Sequence, residues 1–408
     1  MKTSVVDLAV IGGGIAGAGI ARDAALRGLK VAVLEKDRVA AGTSSRSSGL
    51  IHGGVRYLET AWSDLLAGRS AEAWKNFRFV FKSLRESRVL AATAPSLVRP
   101  IALVIPFYRG RRGRSRVSIF LGCWLYYLLA RLTGPARAPH FFRSADALLS
   151  ELPGLRREGL LGGVRIWDHL TDDAGLVRAV MRSAVARGAE LFEGAPVKAY
   201  RYDREKGLFE ITAGGETPRA VYARRLVDAT GPWVDRTRRL GHEWVKDILL
   251  PLAGAHLNFK RFTEASVILE ARDRRLLFVI SSDDRSRVGT TEREYADPDS
   301  VEPKPAEIAY LLDALNYYFP DKKFTAADIV SMDAAVRPLA RPRHATSATN
   351  ASREHEIRVG PTGVIHVLGV KLTDHRRAAE ELVDSLVPFF RESRPEIKRR
   401  TVTHRAPL

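Results

Sequence analysis

Three glycines near the amino end most constrain what this chain can fold into. Gly12, Gly14 and Gly17 are spaced as G-x-G-x-x-G. They follow an apolar run at 7–11 and precede a helical pattern at 15–26. Between a strand and a helix, these glycines permit a tight turn, a close approach of a pyrophosphate and tight helix–strand packing. The motif therefore predicts an α/β fold that begins with a Rossmann-like βαβ unit.

An acidic residue at the end of the second predicted strand supports this interpretation. Glu35 follows the apolar run 31–34, where a carboxylate can accept hydrogen bonds from the adenosine ribose. Spacing alone does not separate FAD from NAD. Two features favour FAD: a hydroxyl-rich loop at 43–48, and a second glycine-bearing strand–turn–helix at 360–373. A second helix N-terminus would stabilise negative charge on a reduced flavin.

The net charge of +18 fits an anionic partner, although a genomic preference for arginine would also explain much of the excess. Nucleic acid, an anionic membrane surface, and an anionic substrate with its cofactor all fit such a charge. The arginines are spread along the chain and no nucleic-acid module is present, so we expect no nucleic-acid partner. The single cysteine, Cys123, excludes an internal disulfide and a multi-cysteine metal site, and we expect a reducing compartment and no bound metal. The amino end lacks the apolar run of a secretory leader, so none is expected.

A basic loop and the apolar segment after it permit two interpretations. Residues 109–116 include Arg111, Arg112 and Arg114, and residues 117–130 are apolar and aromatic. That segment is too short to span a bilayer. It is either a buried helix or an interfacial helix whose neighbouring arginines meet anionic lipid headgroups.

A series of motifs resembles the FAD-dependent glycerol-3-phosphate dehydrogenase family, within the D-amino-acid-oxidase-like flavoproteins. The motifs occur in the family's order and cover most of the chain. They are IGGGIAGAGIARD at 11–23, SSRSSGLIHGGVRYLE at 44–59, TDDAGLV at 171–177, DATGPWVD at 228–235, VGTTE at 288–292, AVRPL at 335–339 and VKLT at 370–373.

This resemblance implies an FAD domain and an interleaved α+β substrate domain whose antiparallel sheet covers the flavin. We assign the FAD-binding domain to 1–90, 150–240 and 330–390, the substrate domain to 91–149 and 241–329, and a tail to 391–408. The implied reaction is hydride transfer from C2 of sn-glycerol 3-phosphate to flavin N5, which yields dihydroxyacetone phosphate. Electrons would then pass to a quinone or another acceptor. The family also implies a cytoplasmic protein that binds peripherally to the membrane surface.

The reaction needs a base and cations for the substrate phosphate. Histidine is the natural base near neutral pH, and the resemblance places His52 beside the flavin and His256 on a substrate-domain strand. Arginine suits a phosphate because its guanidinium can meet two oxygens. The candidate catalytic residues are His52, His256 and Arg337, and the candidate substrate-binding residues are Arg56, Tyr57, Arg337, Arg353 and Lys371.

The candidate cofactor-binding residues come from the glycine motif and from the family motifs. They are Gly12, Gly14, Ile15, Ala16, Gly17, Glu35, Lys36, Thr43, Ser44, Ser45, Ser47, His52, Gly53, Gly54, Val197, Thr230, Gly231, Trp233, Gly369, Lys371, Leu372 and Thr373.

The sequence departs from the family pattern at three positions near these residues. Family members commonly have Lys where this chain has Gly49 and Ala253, and Gly where it has Val370. These departures bear on the substrate more than on the cofactor. Two alternatives therefore remain: a flavin oxidoreductase of the same fold that acts on another anionic hydroxy acid or amine, and a non-catalytic flavin-binding homologue.

Overall fold

The computed structural model describes residues 5–109, 116–243, 246–295, 297–342 and 354–408. The strands in these residues are β1 (Val5–Ile11), β2 (Val31–Leu34), β3 (Leu50–Ile51), β4 (Val98–Tyr108), β5 (His140–Phe142), β6 (Leu160–Thr171), β7 (Glu190–Phe192), β8 (Val197–Asp203), β9 (Leu208–Ala213), β10 (Arg219–Asp228), β11 (Leu249–Lys260), β12 (Ser266–Glu270), β13 (Leu276–Ser281), β14 (Arg285–Gly289), β15 (Arg293–Glu294), β16 (Ile329–Ala340), β17 (Glu356–Val359) and β18 (Ile365–Leu368). The α-helices are α1 (Ile15–Arg27), α2 (Arg56–Leu66), α3 (Ser70–Thr93), α4 (Arg116–Thr133), α5 (Ala145–Leu149), α6 (Asp173–Val185), α7 (Val234–Leu240), α8 (Pro305–Tyr318) and α9 (His375–Arg391).

The first sheet is the predicted Rossmann-like core. Strands β18, β10, β1, β2 and β7 lie side by side and parallel. Strand β17 pairs antiparallel with β18, and the β8–β9 hairpin pairs with β10. Helices α1, α6 and α9 contribute Ile20, Val180 and Leu382 to one core beneath this sheet. The βαβ prediction is confirmed, because the apolar runs are buried strands, Gly12 and Gly14 lie between β1 and α1, and Gly17 lies in the first turn of α1.

The second sheet is mainly antiparallel and runs in the order β15-β11-β14-β13-β12-β4-β6-β3, with β16 on β11 and β5 on β6. One face packs against α5 and α8, through Leu148, Leu311 and Leu315. The other face packs in part against α4, where Cys123 meets Leu103 and Ile166. The predicted α/β fold with an antiparallel second sheet is therefore correct.

Sheet membership differs from the predicted domain boundaries at two long strands. Strand β6 falls in the predicted FAD-binding segment 150–240, yet it pairs with β4 in the second sheet. Strand β16 falls in the segment 330–390, yet it pairs with β11. Both pairings join residues far apart in sequence, which local patterns do not reveal. The division into two functional domains otherwise stays a prediction.

The strand–turn–helix predicted at 360–373 extends further along the chain than that range, because its helix, α9, begins at His375. Lys371 lies in the turn before it, where its backbone N–H donates to Asp374 Oδ1 over 2.9 Å. Lys371 therefore projects from a turn rather than from the first turn of a helix.

Candidate active site

A cavity of about 450 Å³ lies over the carboxyl edge of the first sheet. One part is lined by Glu35 and Lys36 after β2, the middle by Gly12 and Gly14, and another part by Gly369 after β18. Carboxyl ends of parallel strands in an open α/β sheet are where ligands bind. The cavity therefore brings together, at one edge of the sheet, residues from several segments of the predicted dinucleotide site.

The glycine motif is held by close backbone contacts. A Cβ atom on Gly17 would lie 1.9 Å from the Gly12 carbonyl oxygen. Gly12 has a φ of +107°, and its Cβ would lie 2.7 Å from the Ala229 oxygen. These contacts bring β1, α1 and the end of β10 together, and leave the start of α1 open to the cavity.

Two polar side chains are placed to contact the ribose and the phosphates of a dinucleotide. Glu35 Oε2 accepts from the Gly13 N–H over 2.5 Å, and its other oxygen accepts from the Asp37 N–H over 2.9 Å. Ser44 Oγ accepts from the Ile15 N–H over 3.1 Å. A carboxylate at the ribose position and a helix N-terminus with a hydroxyl beside it are what an adenine dinucleotide requires. The residues present therefore fit FAD.

A second group of residues lies where the loop after β3 meets the turn before α9. The Lys371 ammonium lies 4.7 Å from the Phe79 ring centre and 5.7 Å from that of Tyr57. Burial, with the Lys371 charge as the second cause, lowers the pKa of His52 to about 4. His52 is therefore neutral at pH 7 and can accept a proton.

His256 is the other candidate base and lies on β11 in the second sheet. Its side chain is buried, and neither ring nitrogen has a hydrogen-bond partner among the described residues. The Asp333 carboxylate lies 3.9 Å from Nδ1. Burial, followed by the charges of Arg287 and Arg337, lowers the pKa of His256 well below its usual value. Burying an imidazole that has no partner among the described residues is costly, so both ring nitrogens of His256 are candidates to bond a ligand.

Arg337 reaches the same face of the second sheet from β16. Its guanidinium donates to Thr290 Oγ1 over 2.9 Å and to Glu292 Oε2 over 3.1 Å. The side chain keeps 33% of its exposure. A partly exposed guanidinium can still present N–H groups to an anion.

The predicted cofactor residues divide into two groups by position. Those that line the cavity are Gly12, Gly14, Ile15, Ala16, Glu35, Lys36, Thr43, Ser44, Val197, Thr230, Gly231, Trp233 and Gly369. The others, outside its lining, are Gly17, Ser45, Ser47, His52, Gly53, Gly54, Lys371, Leu372 and Thr373. Among these, Ser45 and Ser47 bond to the protein itself, through Gly42 O and Asp173 Oδ2.

Two predicted substrate residues cannot be placed. Arg353 lies outside the described residues, and for Arg56 only the backbone, at the start of α2, is described. Tyr57 packs edge-on against Phe79, with ring centres 4.7 Å apart. The substrate-binding roles of Arg56, Tyr57 and Arg353 stay predictions.

The three departures from the family pattern have different structural settings. Gly49 has a φ of +69°, and a Cβ there would lie 2.6 Å from the Thr171 oxygen, so a lysine would need a different backbone. Ala253 is fully buried on the face of β11 that Leu257 shares, opposite His256. A phosphate contact from position 253 is therefore not expected in this structure. Val370 lines the cavity and also packs against the first core.

Sequence reasoning missed the ion pair that joins the hydroxyl loop to the second sheet. Arg287 donates to both Asp333 oxygens, over 2.6 and 2.7 Å, and its Nε donates to the Ser47 carbonyl over 2.9 Å. Its position immediately before the VGTTE motif was an available signal. Asp299, which accepts from Trp233 Nε1 over 2.8 Å and from Arg236 over 2.6 Å at the cavity rim, had no such signal.

Comparisons with known proteins agree with this geometry. Residues 7–398 match the family described as FAD dependent oxidoreductase. The aerobic glycerol-3-phosphate dehydrogenase of Bacillus subtilis (strain 168) is 34% identical over 390 residues, which cover 94% of this chain and 67% of that protein. The chain thus spans about two thirds of the length of that relative.

Solved structures show the same fold. The glycerol-3-phosphate dehydrogenase from Bacillus halodurans, complexed with FAD, superposes with a TM-score of 0.76 at 28% identity and covers 99% of this chain and 68% of its own. The L-alpha-glycerophosphate oxidase from Mycoplasma pneumoniae, with FAD bound, gives a TM-score of 0.69 at 16% identity and covers 94% of this chain and 95% of its own. At that identity the second match shows the fold alone.

Proposed function

The chain belongs to the FAD-dependent oxidoreductase family, and we propose that it oxidises sn-glycerol 3-phosphate to dihydroxyacetone phosphate. The observation that carries this proposal is His256, a buried imidazole without hydrogen-bond partners among the described residues, with the charges of Arg287 and Arg337 close enough to lower its pKa. A neutral base beside cations suits an anionic alcohol. The identity to aerobic glycerol-3-phosphate dehydrogenases supports this substrate.

FAD, when bound, supplies the acceptor for the hydride that leaves C2 of the substrate. The cavity residues around Gly12, Gly14 and Glu35 would hold its dinucleotide part. The chain must then remove the hydroxyl proton as the C2–O bond becomes a carbonyl. His52 and His256 both have lowered pKa values and are neutral at pH 7, so either can take this proton.

The substrate phosphate needs cations on the protein. Arg337, with its partly exposed guanidinium, and Lys371, whose ammonium lies among Phe79 and Tyr57, are the candidates among the described side chains. Arg56 and Arg353 stay candidates through their motif positions. Because a phosphate is dianionic near neutral pH, two or more of these cations would act together.

The direct test is reduction of the flavin without oxygen. The purified protein, loaded with FAD, is mixed with sn-glycerol 3-phosphate, and the flavin absorption is followed. Rapid bleaching supports the proposal. A flavin that bleaches with a hydroxy acid or an amine instead would move the substrate to the alternative class, and one that bleaches only with dithionite would indicate a flavin-binding homologue.

A variant of His256 tests the role of the base. His256→Gln should lower the rate of flavin reduction by about 10²- to 10⁴-fold, the usual contribution of a general base, while the bound flavin stays. His52→Gln made in parallel shows which imidazole takes the proton. If both variants reduce at the wild-type rate, the assignment of the base to this pair is wrong.

The electron acceptor and the location belong to the same proposal. We propose that electrons leave to a quinone or another acceptor and that the protein binds peripherally to the cytoplasmic membrane. None of the helices in the described residues is long and apolar enough to cross a bilayer. Support for surface binding comes from exposed apolar residues along α4, among them Leu121, Leu128 and Leu132.

A further inference from the structure

The backbone on the carboxyl side of His52 is held by a buried pair from two other elements. The Gly53 N–H donates to Tyr126 Oη over 2.8 Å and lies 3.4 Å from Asp168 Oδ1. Tyr126, on α4, donates its own hydroxyl to Asp168 Oδ1, on β6, over 2.5 Å. Tyr126 Oη and Asp168 Oδ1 thus both accept from the Gly53 N–H, which is the first backbone donor after His52.

The backbone on the other side of His52 is held by α3. Ser87 Oγ donates to the Ile51 carbonyl over 3.3 Å and lies 2.9 Å from His169 Nδ1. His52 therefore lies between two fixed backbone groups, one before it and one after it. Since the strand β3 ends at Ile51, these bonds replace sheet pairing in fixing where the imidazole lies.

The pair fits closely against the backbone. A Cβ on Gly53 would lie 2.7 Å from Tyr126 Oη and 2.6 Å from Leu84 Cδ2. Tyr126 and Asp168 keep only 3% and 6% of their exposure. There is little room for the Gly53 segment to move toward α4 while the phenol stays in place.

A second cavity, of about 280 Å³, has the pair in its lining and shares no lining residue with the FAD cavity. Its lining includes Tyr126, Asp168, Ser87 and His169, with Arg88 and Arg137 as the cations. Burial raises the pKa of Asp168 to about 7, against the opposite effects of Tyr126 and the Gly53 N–H. Burial, with Arg88 as second cause, lowers the pKa of His169 to about 4. Asp168 is therefore the group of this cluster that titrates near neutral pH.

We propose that Tyr126 and Asp168 are positioning residues for His52, and that the second cavity lets Asp168 exchange protons with solvent, so that the placement of His52 depends on pH. The ionised carboxylate accepts from both donors. A protonated carboxyl is a weaker acceptor, so the hold on Gly53 loosens as pH falls through about 7. The proposal rests on the proposed function in two respects, because it takes His52 as a catalytic group and glycerol 3-phosphate as the reductant.

The test uses the FAD-loaded full chain with Tyr126→Phe and Asp168→Asn, and Tyr127→Phe as the matched control. Tyr127 is the next residue on α4 and lines the same cavity, and the hydrogen bonds to Gly53 come from Tyr126 and Asp168. Under saturating sn-glycerol 3-phosphate without oxygen, Tyr126→Phe and Asp168→Asn should slow flavin reduction by about 10- to 100-fold, as expected for a misplaced catalytic group. The substrate concentration for half-maximal rate should change much less, and Tyr127→Phe should match wild type.

The pH profile separates positioning from a general structural effect. In the wild type, flavin reduction should fall on the acid side with an apparent pKa near 7, and Asp168→Asn should abolish this step. A wild-type rate together with an unchanged profile in both variants would overturn the proposal. So would a step near pH 7 that persists in Asp168→Asn.

The absorption spectrum of the bound flavin, recorded without substrate, tests the role of Tyr126 and Asp168 separately from the proposed substrate. The visible absorption of the bound flavin should shift between pH 6 and 8 in the wild type and not in Asp168→Asn. If glycerol 3-phosphate fails to bleach the wild type while this shift is present, the proposed substrate is wrong and the pair's role stands. If the wild type bleaches but shows neither the shift nor the pH step, the pair's role is wrong and the proposed substrate stands.

Discussion

At the residue scale, a single added methyl group decides whether the dinucleotide turn can form. A Cβ on Gly17 would lie 1.9 Å from the Gly12 carbonyl oxygen, far inside van der Waals contact. We expect Gly17→Ala to push α1 away from β1, so that the purified protein retains little or no flavin. The measurement is the ratio of flavin absorption to protein absorption after purification.

Gly122 provides the matched control for that substitution. It also lies within a helix, α4, and a Cβ there would meet nothing within 4 Å. Gly122→Ala should keep full flavin content and gain up to about 1 kcal/mol in free energy of unfolding, because alanine favours the helix over glycine. Equal flavin content in both variants would contradict the role given to Gly17.

At the scale of elements, one buried ion pair joins helix α9 to helix α3. Arg376 on α9 donates to both oxygens of Glu86 on α3, over 2.7 and 2.6 Å, and both side chains are buried. Arg376→Met would leave the Glu86 carboxylate buried without its partner. We expect a loss of about 3–5 kcal/mol in free energy of unfolding, measured by denaturant or thermal unfolding.

A double variant separates the lost pair from lost packing. Because the penalty comes from an uncompensated charge, Glu86→Leu combined with Arg376→Met should be more stable than Arg376→Met alone. A double variant as unstable as the sum of the two single ones would show that the charges do not interact in this way.

The sequence predicts elements whose defining residues are adjacent along the chain, and not those defined by distant partner strands. The β1–α1–β2 unit was predictable because its apolar runs, glycines and acid are adjacent along the chain. The place of β6 and β16 in the second sheet was not, because each is defined by a partner strand far away in sequence. Likewise His52 could be singled out by its motif, whereas Asp168, which holds the neighbouring Gly53, lies in a strand with no distinctive local pattern.

At the scale of the whole molecule, an exposed apolar row on α4 combines with the net charge of +18. The row follows helical spacing and consists of Val117, Leu121, Trp124, Leu128 and Leu132, with exposures of 65, 51, 37, 55 and 75%. The opposite face of α4 is buried through Cys123 and Tyr126. Helix α4 therefore has one buried face and one exposed face, and for the exposed face the interfacial interpretation stays a prediction.

Replacing three leucines of this row tests whether the exposed face of α4 binds lipid. The triple variant Leu121→Ser, Leu128→Ser and Leu132→Ser should lower binding to anionic phosphatidylglycerol-containing vesicles by at least about tenfold, since each leucine contributes on the order of 1 kcal/mol or more when buried in lipid. Sedimentation with the vesicles measures this. Val330 and Val359, which are 64% and 71% exposed on strands elsewhere, give the control Val330→Ser with Val359→Ser, which should bind like wild type.

The arginines that precede this row in the sequence test whether electrostatic attraction contributes to vesicle binding. Arg111, Arg112 and Arg114 lie outside the described residues, but their sequence position directly precedes α4. Replacing all three with Gln should weaken binding to anionic vesicles most at low salt, because each cation near a charged surface contributes about 1 kcal/mol and salt screens this attraction. The leucine variant should lose binding at every salt concentration, and the arginine variant mainly at low salt. Unchanged sedimentation in both would show that α4 faces something other than a membrane.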